Sequence, residues 1–369
     1  MILVTGGTGF LGSYALARLV ESTDEPIGLL VRAKSEAQAE EKLWHNMQLH
    51  WSRDQLRAHR EQIRFVPGDL HGHHLGLDAD TWKRTAEETR SICHIAASLN
   101  RKSEKVCLNT NLRGTLSMAQ LAREAVTRGG LDRFTHVSTV AVCGHRSHEV
   151  VQEDTSIDWD RSDYDPYGRT KKFAEHMVMS LLPDVSKVFL RPSIVMGDSR
   201  FPQTTQFDMV RAFCELAQMP FVPLDPNTRL DIVPADWVGA AIAKLHLDLK
   251  PGFERYHLAA GTGAPKASDI ARALEGTSMK LRFAPRLGRP FEWGVRAMNR
   301  LPRGNPLQGL GAVMKVFWPY IVYDTVFANE RATAAMGRPP TPFPQYCAGL
   351  FEWATSHRYE YPHVPLVRP

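Results

Sequence analysis

Cysteine is scarce in this sequence, and this scarcity excludes two classes of protein. The 369 residues include five cysteines, which are odd in number, far apart and without the spacing of metal ligands. A disulfide-rich secreted scaffold and a zinc-binding domain are therefore excluded, and no metal site is predicted. We expect reduced, buried thiols. The cysteines are Cys93, Cys107, Cys143, Cys214 and Cys347.

Long apolar runs are missing as well. No stretch approaches the roughly 18 uninterrupted apolar residues that a membrane-spanning helix needs. The apolar N-terminal segment is soon interrupted by glycines and has neither a basic region before it nor a small-residue cleavage site after it. No transmembrane segment is predicted, and the cytoplasm is the expected location.

Charge blocks, low-complexity segments and internal repeats are also lacking. The formal net charge is +5, but the lysines and arginines are scattered, and no motif combines them with aromatic residues as nucleic-acid binders do. We therefore expect no nucleic-acid partner, whereas the mild positive charge suits an anionic ligand. With 43% hydrophobic residues, the chain is long enough for one large α/β domain and a smaller lobe.

Glycine, by contrast, is concentrated at the beginning of the chain. The first twelve residues, MILVTGGTGFLG, contain an apolar strand, Ile2–Thr5, that leads into a glycine turn and then into a segment of helical period. Gly6 would turn the chain out of the strand, Gly9 would let the backbone approach a diphosphate, and Gly12 would bring helix and strand together. The helix N-terminus would then face the phosphates. An ordinary tight turn has the same spacing, but this position favours a dinucleotide site.

The residue that follows the second predicted strand, 27–31, indicates which dinucleotide binds. NAD-selective sites place an acidic residue there to bond the ribose 2′-hydroxyl, whereas this chain has Arg32, with Lys34 and Lys42 shortly after. A guanidinium can hold a 2′-phosphate with two hydrogen bonds, so the sequence predicts NADP(H). The alternative is that Arg32 is a solvated residue at the strand end.

Further cofactor contacts are predicted where other strands end. After the third strand, 63–66, Asp69 either accepts from the adenine amine or caps a turn. The fourth strand, 91–97, ends in small residues, as a cofactor crossing its edge requires, and His94 within it is interpreted as a core residue. The predicted cofactor-binding residues are Gly6, Thr8, Gly9, Phe10, Leu11, Gly12, Arg32, Lys42, Asp69, Leu70, Ala96, Ala97, Ser98, Asn111, Lys171, Pro192 and Ser193.

Alternation of strands and helices over the first two hundred residues predicts the fold class. It is typical of α/β proteins with a doubly wound parallel sheet, that is, a Rossmann domain. Single helices are predicted over 35–60 and 105–128. Prolines and short helices then become frequent, which indicates a smaller, mostly helical C-terminal substrate lobe. The expected boundaries are 1–196 with the returning segment 231–264 for the Rossmann domain, and 197–230 with 265–369 for the lobe.

Three side chains are candidates for catalysis. Tyr167 and Lys171 are four residues apart on a predicted helix and therefore share one face. A phenol is a poor acid at neutral pH, but a nearby ammonium and a nicotinamide cation would lower its pKa. Tyr167 would then exchange a proton with a carbonyl oxygen, and Lys171 would also hold the nicotinamide ribose. A hydroxyl from the end of the fifth strand, at Ser138 or Thr139, would bond the same oxygen.

These motifs, in this order, resemble the extended short-chain dehydrogenase/reductase superfamily over about residues 1–265. Within that superfamily the chain is most similar to the branch that contains thioester reductases and fatty acyl-CoA reductases. The segments that carry the resemblance are LLVRAKSEAQAEEKL, GDL followed by LGLDADTW, HIAASLN, NTNLRGT, YGRTK, RPSIVMGDS and DIVPADWV.

The resemblance implies a site and a reaction. Thr139 would be the catalytic hydroxyl, with Ser138 as the alternative, beside Tyr167 and Lys171. The reaction would be reduction of an acyl thioester by NADPH to an aldehyde, and a second hydride would carry the aldehyde to the alcohol. No adenylation or carrier domain is recognised, so the acyl group is expected on CoA or on a separate carrier protein.

Two alternatives to this reaction stay open. An NADP-dependent ketoreductase, a hydroxysteroid-type dehydrogenase or an epimerase would use the same three residues. A non-catalytic protein that binds a nucleotide as a sensor would keep the glycine turn alone.

Aromatic and basic residues alternate towards the C-terminus. They would line an acyl tunnel, contact a carrier or a membrane surface peripherally, or form a packed lid with solvated arginines. These residues are Phe291, Trp293, Phe317, Trp318, Tyr320 and Tyr323 with Arg286, Arg289, Arg296, Arg300, Arg303 and Lys315.

Overall fold

A parallel sheet forms the centre of the protein. The computed structural model describes residues 1–101, 103–277, 279, 281–302, 305–322 and 324–366. The strands in these ranges are β1 (Ile2–Thr5), β2 (Ile27–Val31), β3 (Ile63–Pro67), β4 (Ser91–His94), β5 (Arg133–Val137), β6 (Val150–Val151), β7 (Lys187–Pro192), β8 (Ile194–Val195), β9 (Ile232–Val233), β10 (Arg255–Leu258) and β11 (Val326–Phe327).

Seven of these strands pair in the order β3-β2-β1-β4-β5-β7-β10, and every pairing is parallel. The order reverses between β1 and β4, where Ile2 of β1 lies beside Ser91 of β4. A crevice opens at such a reversal, outside the carboxyl ends of the two strands, and ligands of doubly wound folds bind there. The predicted fold class is therefore confirmed.

Helices cover both faces of the sheet. The helices are α1 (Phe10–Ser22), α2 (Glu36–Met47), α3 (Arg53–His59), α4 (Ala79–Glu88), α5 (Glu104–Cys107), α6 (Gly114–Arg128), α7 (Pro166–Leu181), α8 (Asp208–Ala217), α9 (Ala235–Leu247), α10 (Ala267–Ala273), α11 (Gly288–Met298), α12 (Pro306–Val322), α13 (Glu330–Met336) and α14 (Cys347–Ser356). Buried side chains of α1, α2 and α9 form one apolar layer, and those of α4, α6 and α7 form the other. Burial of this apolar surface is the main force that holds the layers together.

Two predicted helices are wrong in extent. The helix expected over 35–60 is two helices, because Ser52 and Gln55 form a capping box that begins α3. The helix expected over 105–128 is interrupted by a π-helical turn, Leu108–Arg113, which places the Asn111 side chain against the backbone of Ser98. Local side-chain hydrogen bonds decide both breaks, and periodicity does not report them.

The C-terminal part of the chain has a core of its own. Apolar side chains of α8, α10, α11, α12 and α14 pack together there, including Phe213, Met314 and Phe351. The strand β10 pairs with β7 at the edge of the main sheet, and α9 packs on α1. Among the helices in the described ranges, none is both long and apolar enough to cross a lipid bilayer.

Candidate functional site

A cleft of about 710 Å³ opens at the carboxyl edge of the sheet. Its walls come from the turn after β1, the loop after β4, the end of β5, the start of α7 and the helix α12. Most of the residues predicted to bind a cofactor line this cleft. They are Gly6, Thr8, Gly9, Phe10, Leu11, Gly12, Arg32, Asp69, Leu70, Ala96, Ala97, Ser98, Lys171, Pro192 and Ser193.

The glycine turn has the geometry of a diphosphate site. A Cβ on Gly12 would lie 1.9 Å from the Gly6 carbonyl oxygen, so helix and strand approach too closely for any side chain. Gly6 has a φ of +77°, and a Cβ there would lie 2.6 Å from the Ala96 nitrogen. The first turn of α1 carries no acidic residue and its N-cap, Gly9, makes no side-chain cap. The open N–H groups of this helix terminus suit a dinucleotide diphosphate.

Two predicted cofactor residues do not line the cleft. The Lys42 ammonium donates to the backbone carbonyl of Arg32 and so supports the loop that carries Arg32. The Asn111 amide lies behind the wall, where it accepts from the Ser98 nitrogen at 2.7 Å and donates to the Thr170 hydroxyl at 3.2 Å. Both side chains therefore hold the walls in place instead of facing a ligand.

Asp69 fits both interpretations that the sequence left open. Its carboxylate accepts from the backbone nitrogen of His71 at 3.0 Å, which is a turn cap, and the residue also lines the cleft. His71 Nε2 lies 2.7 Å from the Thr110 hydroxyl, and both residues line the same wall. Neither residue was predicted from the sequence, although His71 directly follows the GDL segment and Thr110 lies within NTNLRGT.

The two candidate hydroxyls after β5 have different partners. The Thr139 hydroxyl lies close enough to the Tyr167 phenol at the cleft wall to lower the pKa of that phenol. The Ser138 hydroxyl donates to Glu175 Oε2 at 2.9 Å, and Glu175 is itself paired with Arg191 in the interior. Ser138 is therefore committed to a buried ion pair, and the structure brings Thr139, not Ser138, together with the phenol.

Lys171 lies one turn after Tyr167 on α7 and is buried. Its ammonium donates to the Val137 carbonyl oxygen at 2.7 Å. Burial lowers the pKa of Lys171 to about 7, and the nearby Glu175 carboxylate opposes this shift. An ammonium with this pKa changes its charge near neutral pH, which an exposed lysine does not.

The groups around Tyr167 shift its pKa in both directions, and lowering by a nicotinamide cation stays a prediction. Burial raises the pKa of this phenol above its ordinary value, and the Asp165 carboxylate raises it further. The Arg101 guanidinium and the hydrogen bond with Thr139 act in the opposite direction. Desolvation outweighs both, because a phenolate loses its hydration when buried.

His94 is a core residue, as the sequence predicted. It is buried between β4 and α6, where its Nδ1 lies 2.7 Å from the Thr5 hydroxyl and its Nε2 lies 3.0 Å from the Thr115 hydroxyl. Burial lowers the pKa of His94 to about 3, so the ring stays neutral.

The aromatic and basic residues near the C-terminus divide into three groups. Phe317 and Tyr320 line the cleft, whereas Trp318 packs on Phe291 in the lobe core. Trp293 is 73% exposed, and the arginines beside it in sequence are exposed too. Tyr323 and Arg303 lie outside the described residues.

The chain matches a known protein family. A family model of NAD-binding proteins, described as Male sterility protein, matches residues 4–242, which is more than half of the chain. The chain belongs to this family. It falls within the extended short-chain dehydrogenase/reductase superfamily, in the thioester reductase branch, and the resemblance stated from the sequence is confirmed.

The individual relatives are much longer than this chain. The chain is 29% identical over 265 residues to the nonribosomal peptide synthetase asaC of Aspergillus flavus, covering 68% of this chain and 25% of that protein. It is 26% identical over 288 residues to a carboxylic acid reductase of Mycobacterium marinum, covering 70% of this chain and 24% of that protein. The chain thus spans about a quarter of the length of these relatives.

A solved structure shares the whole fold. The terminal R domain of the myxalamid PKS-NRPS biosynthetic pathway has a TM-score of 0.82 and 23% identity, with 97% of this chain and 91% of that chain covered. At this identity the likeness supports the fold alone, including the C-terminal lobe that the family model does not reach.

Proposed function

We propose that the protein is an NADPH-dependent reductase that converts an acyl thioester into an aldehyde through Thr139, Tyr167 and Lys171. The observation that supports this most directly is that Thr139 and Tyr167 lie together at the wall of one cleft, which also contains the glycine turn. Two hydroxyls that converge on one point are what a developing oxyanion needs.

Each of the three side chains has a separate role in the reduction. A bound dihydronicotinamide supplies the hydride to the acyl carbon. Tyr167 gives its hydroxyl proton to the acyl oxygen, which would otherwise carry a full negative charge, and Thr139 hydrogen-bonds the same oxygen. The resulting hemithioacetal loses its thiol, and the carbonyl of the aldehyde forms. Lys171, anchored on Val137, presents its ammonium to the nicotinamide ribose.

Arg32 supports NADPH over NADH. It follows β2, lines the cleft and is exposed, and its main chain is held by Lys42. An exposed guanidinium at this strand end can bind a 2′-phosphate, whereas a carboxylate would repel it.

The nature of the substrate is supported by apolar residues of the cleft and by the relatives. Met209, Phe317 and Phe327 line the cleft together with Tyr167, and these side chains suit an apolar acyl chain. The relatives include a peptide synthetase and a carboxylic acid reductase, which supports an acyl group delivered on a carrier protein. CoA is the alternative carrier of the same thioester chemistry.

The test is product analysis after incubation with NADPH and a panel of acyl-CoAs, acylated carrier proteins and simple ketones. We expect NADPH oxidation and aldehyde or alcohol only with the thioesters. Tyr167→Phe removes the proton donor but not the ring, so we expect turnover to fall by about 10²- to 10⁴-fold while NADPH still binds. Turnover with ketones alone would overturn the proposal, and unchanged turnover of Tyr167→Phe would overturn the assignment of the donor.

A further inference from the structure

Arg101 is a partly buried cation in the cleft that the predicted site did not include. It follows β4 directly after the HIAASLN segment, and its side chain is 17% exposed. Its guanidinium carbon lies 5.0 Å from the centre of the Tyr167 ring. The same carbon lies 5.3 Å from the Tyr320 ring and 5.4 Å from the Phe317 ring. A guanidinium within about 6 Å of an aromatic ring is attracted to it, and more strongly when both are removed from water.

The position of Arg101 is fixed by parts of the protein that are distant in sequence. Its Nε lies 3.2 Å from Asp165 Oδ2, and the other oxygen of Asp165 accepts from the Gly168 nitrogen at 2.8 Å to cap α7. The Tyr320 hydroxyl of α12 donates to Asp165 Oδ2 at 2.8 Å. The C-terminal lobe and the N-terminus of the catalytic helix thus hold this cation beside Tyr167.

Several charged and titratable groups surround the phenol. Arg101 lowers its pKa from the β4 loop, whereas Asp165 before α7 and Cys107 of α5 raise it. Tyr320 of α12 faces it across Arg101, and its burial keeps it neutral by raising its own pKa. Lys171 of α7 lies one turn away with its ammonium on the Val137 carbonyl. Arg101 is thus the cation whose geometry favours the charged form of the phenol.

We propose that Arg101 is a positioning residue that acts through Tyr167: its guanidinium stabilises the phenolate that remains when Tyr167 has given its proton to the substrate oxygen. In that step the O–H bond of the phenol breaks, an O–H bond forms on the substrate, and the guanidinium keeps its own protons. The inference rests on the proposed function, because it assigns Tyr167 the role of proton donor. The inference also gives the C-terminal lobe a part in the site, because Tyr320 of α12 hydrogen-bonds Asp165, the carboxylate beside Arg101.

The first test replaces the cation. Arg101→Met removes the charge and Arg101→Lys keeps it, while Lys105→Met, at an exposed position on α5, is the matched control. We expect kcat of Arg101→Met at neutral pH to fall by about 10- to 100-fold, as loss of a desolvated cation–π contact would give, with a smaller loss for Arg101→Lys. The alkaline limb of its pH profile moves to higher pH, because the phenol without its cation ionises less readily. Unchanged kcat, or a lower kcat with an unmoved alkaline limb, overturns the proposal.

A second measurement does not depend on turnover. A fluorotyrosine placed only at position 167 gives a single ¹⁹F signal that reports ionisation of this phenol. The pH titration is run on the wild-type protein and on Arg101→Met. We expect the pKa of the phenol at position 167 to be higher in Arg101→Met than in the wild-type protein. If wild type reduces no thioester but the titration shifts, the proposed function fails and the coupling stands; if the titration does not shift, the coupling fails.

A paired variant covers the outcome in which Arg101→Met does not fold, because Asp165 would then be buried without its partner. Arg101→Met with Asp165→Asn removes both charges and keeps a residue that caps helices well. Since Asp165 raises the pKa of Tyr167 and Arg101 lowers it, the ¹⁹F titration of the double variant should return towards that of wild type. Compared with Asp165→Asn alone, the double variant should titrate at a higher pH, and an equal pKa for Tyr167 in these two variants contradicts this account.

Discussion

Two adjacent hydroxyls, those of Ser138 and Thr139, should respond to mutation in opposite ways. The Thr139 hydroxyl lies beside the Tyr167 phenol at the cleft wall, so Thr139→Val removes one donor to the developing oxyanion while keeping the shape of the side chain. We expect kcat to fall by about 10²- to 10³-fold, as removal of one oxyanion donor does in other enzymes. Stability should change by less than about 1 kcal/mol, because the hydroxyl makes only a long contact to Pro192 and accepts one backbone N–H.

Ser138→Ala should have the reverse effect. The hydroxyl donates at 2.9 Å to the carboxylate of Glu175, which is fully buried. Without it, Glu175 keeps its bonds from Arg191 and a longer ion pair with Arg255. A hydrogen bond to a charged group contributes about 1.5–3 kcal/mol, so the free energy of unfolding should fall by about that amount. Turnover of the folded protein should stay within a few-fold of wild type, because this hydroxyl does not bond the phenol.

Denaturant unfolding and NADPH oxidation, each measured on both variants, check the pair. Thr139→Ser is the control that restores the hydroxyl, and it should recover most of the lost kcat. If Ser138→Ala abolished turnover without loss of stability while Thr139→Val remained active, our assignment of the catalytic hydroxyl would be refuted.

The remaining predictions concern the cofactor site and the buried lysine. Arg32→Ala should weaken NADPH binding by about 10- to 100-fold, because a bidentate charged contact is lost, and should leave NADH binding unchanged. A fluorescence titration with each cofactor measures this, and an equal loss of affinity for both would mean that Arg32 does not bind the 2′-phosphate. Gly12→Ala should give little folded protein, since its Cβ would lie 1.9 Å from a carbonyl oxygen, whereas Gly263→Ala, where nothing lies within 4 Å, should be tolerated; normal expression and melting of both would contradict this. The pKa of Lys171 is lowered to about 7 in the folded protein. Between about pH 7 and 10 the unfolded chain therefore binds one more proton than the folded chain. Over this range the group raises the free energy of unfolding by about 1.4 kcal/mol for each unit of increasing pH. Lys171→Met should lose that slope in urea melts across this range, and an identical slope would show that the lysine is not titrating there.

Much of the cofactor site could be predicted because its residues are local in sequence. A strand, a glycine turn and a helix follow one another within the first twenty residues, and the steric reasons for glycine at Gly6 and Gly12 hold wherever that connection occurs. The alternation of strands and helices likewise limits the fold to a few topologies. Helix breaks were harder to predict, because Ser52 and Asn111 act through hydrogen bonds that leave no periodic signal.

The sequence by itself determined the fold class, the dinucleotide turn and the pairing of Tyr167 with Lys171 on one helix face, because each depends on residues that are close along the chain. Only the tertiary structure separates the surroundings of Ser138 from those of Thr139. Adjacent residues at a strand end point to opposite sides, and packing brings Glu175 to one side and Tyr167 to the other. The position of Arg101 beside Tyr167 likewise depends on tertiary structure, because α12 packs against the start of α7. Long-range contacts of this kind form between segments whose separation in sequence carries no information about their distance in space.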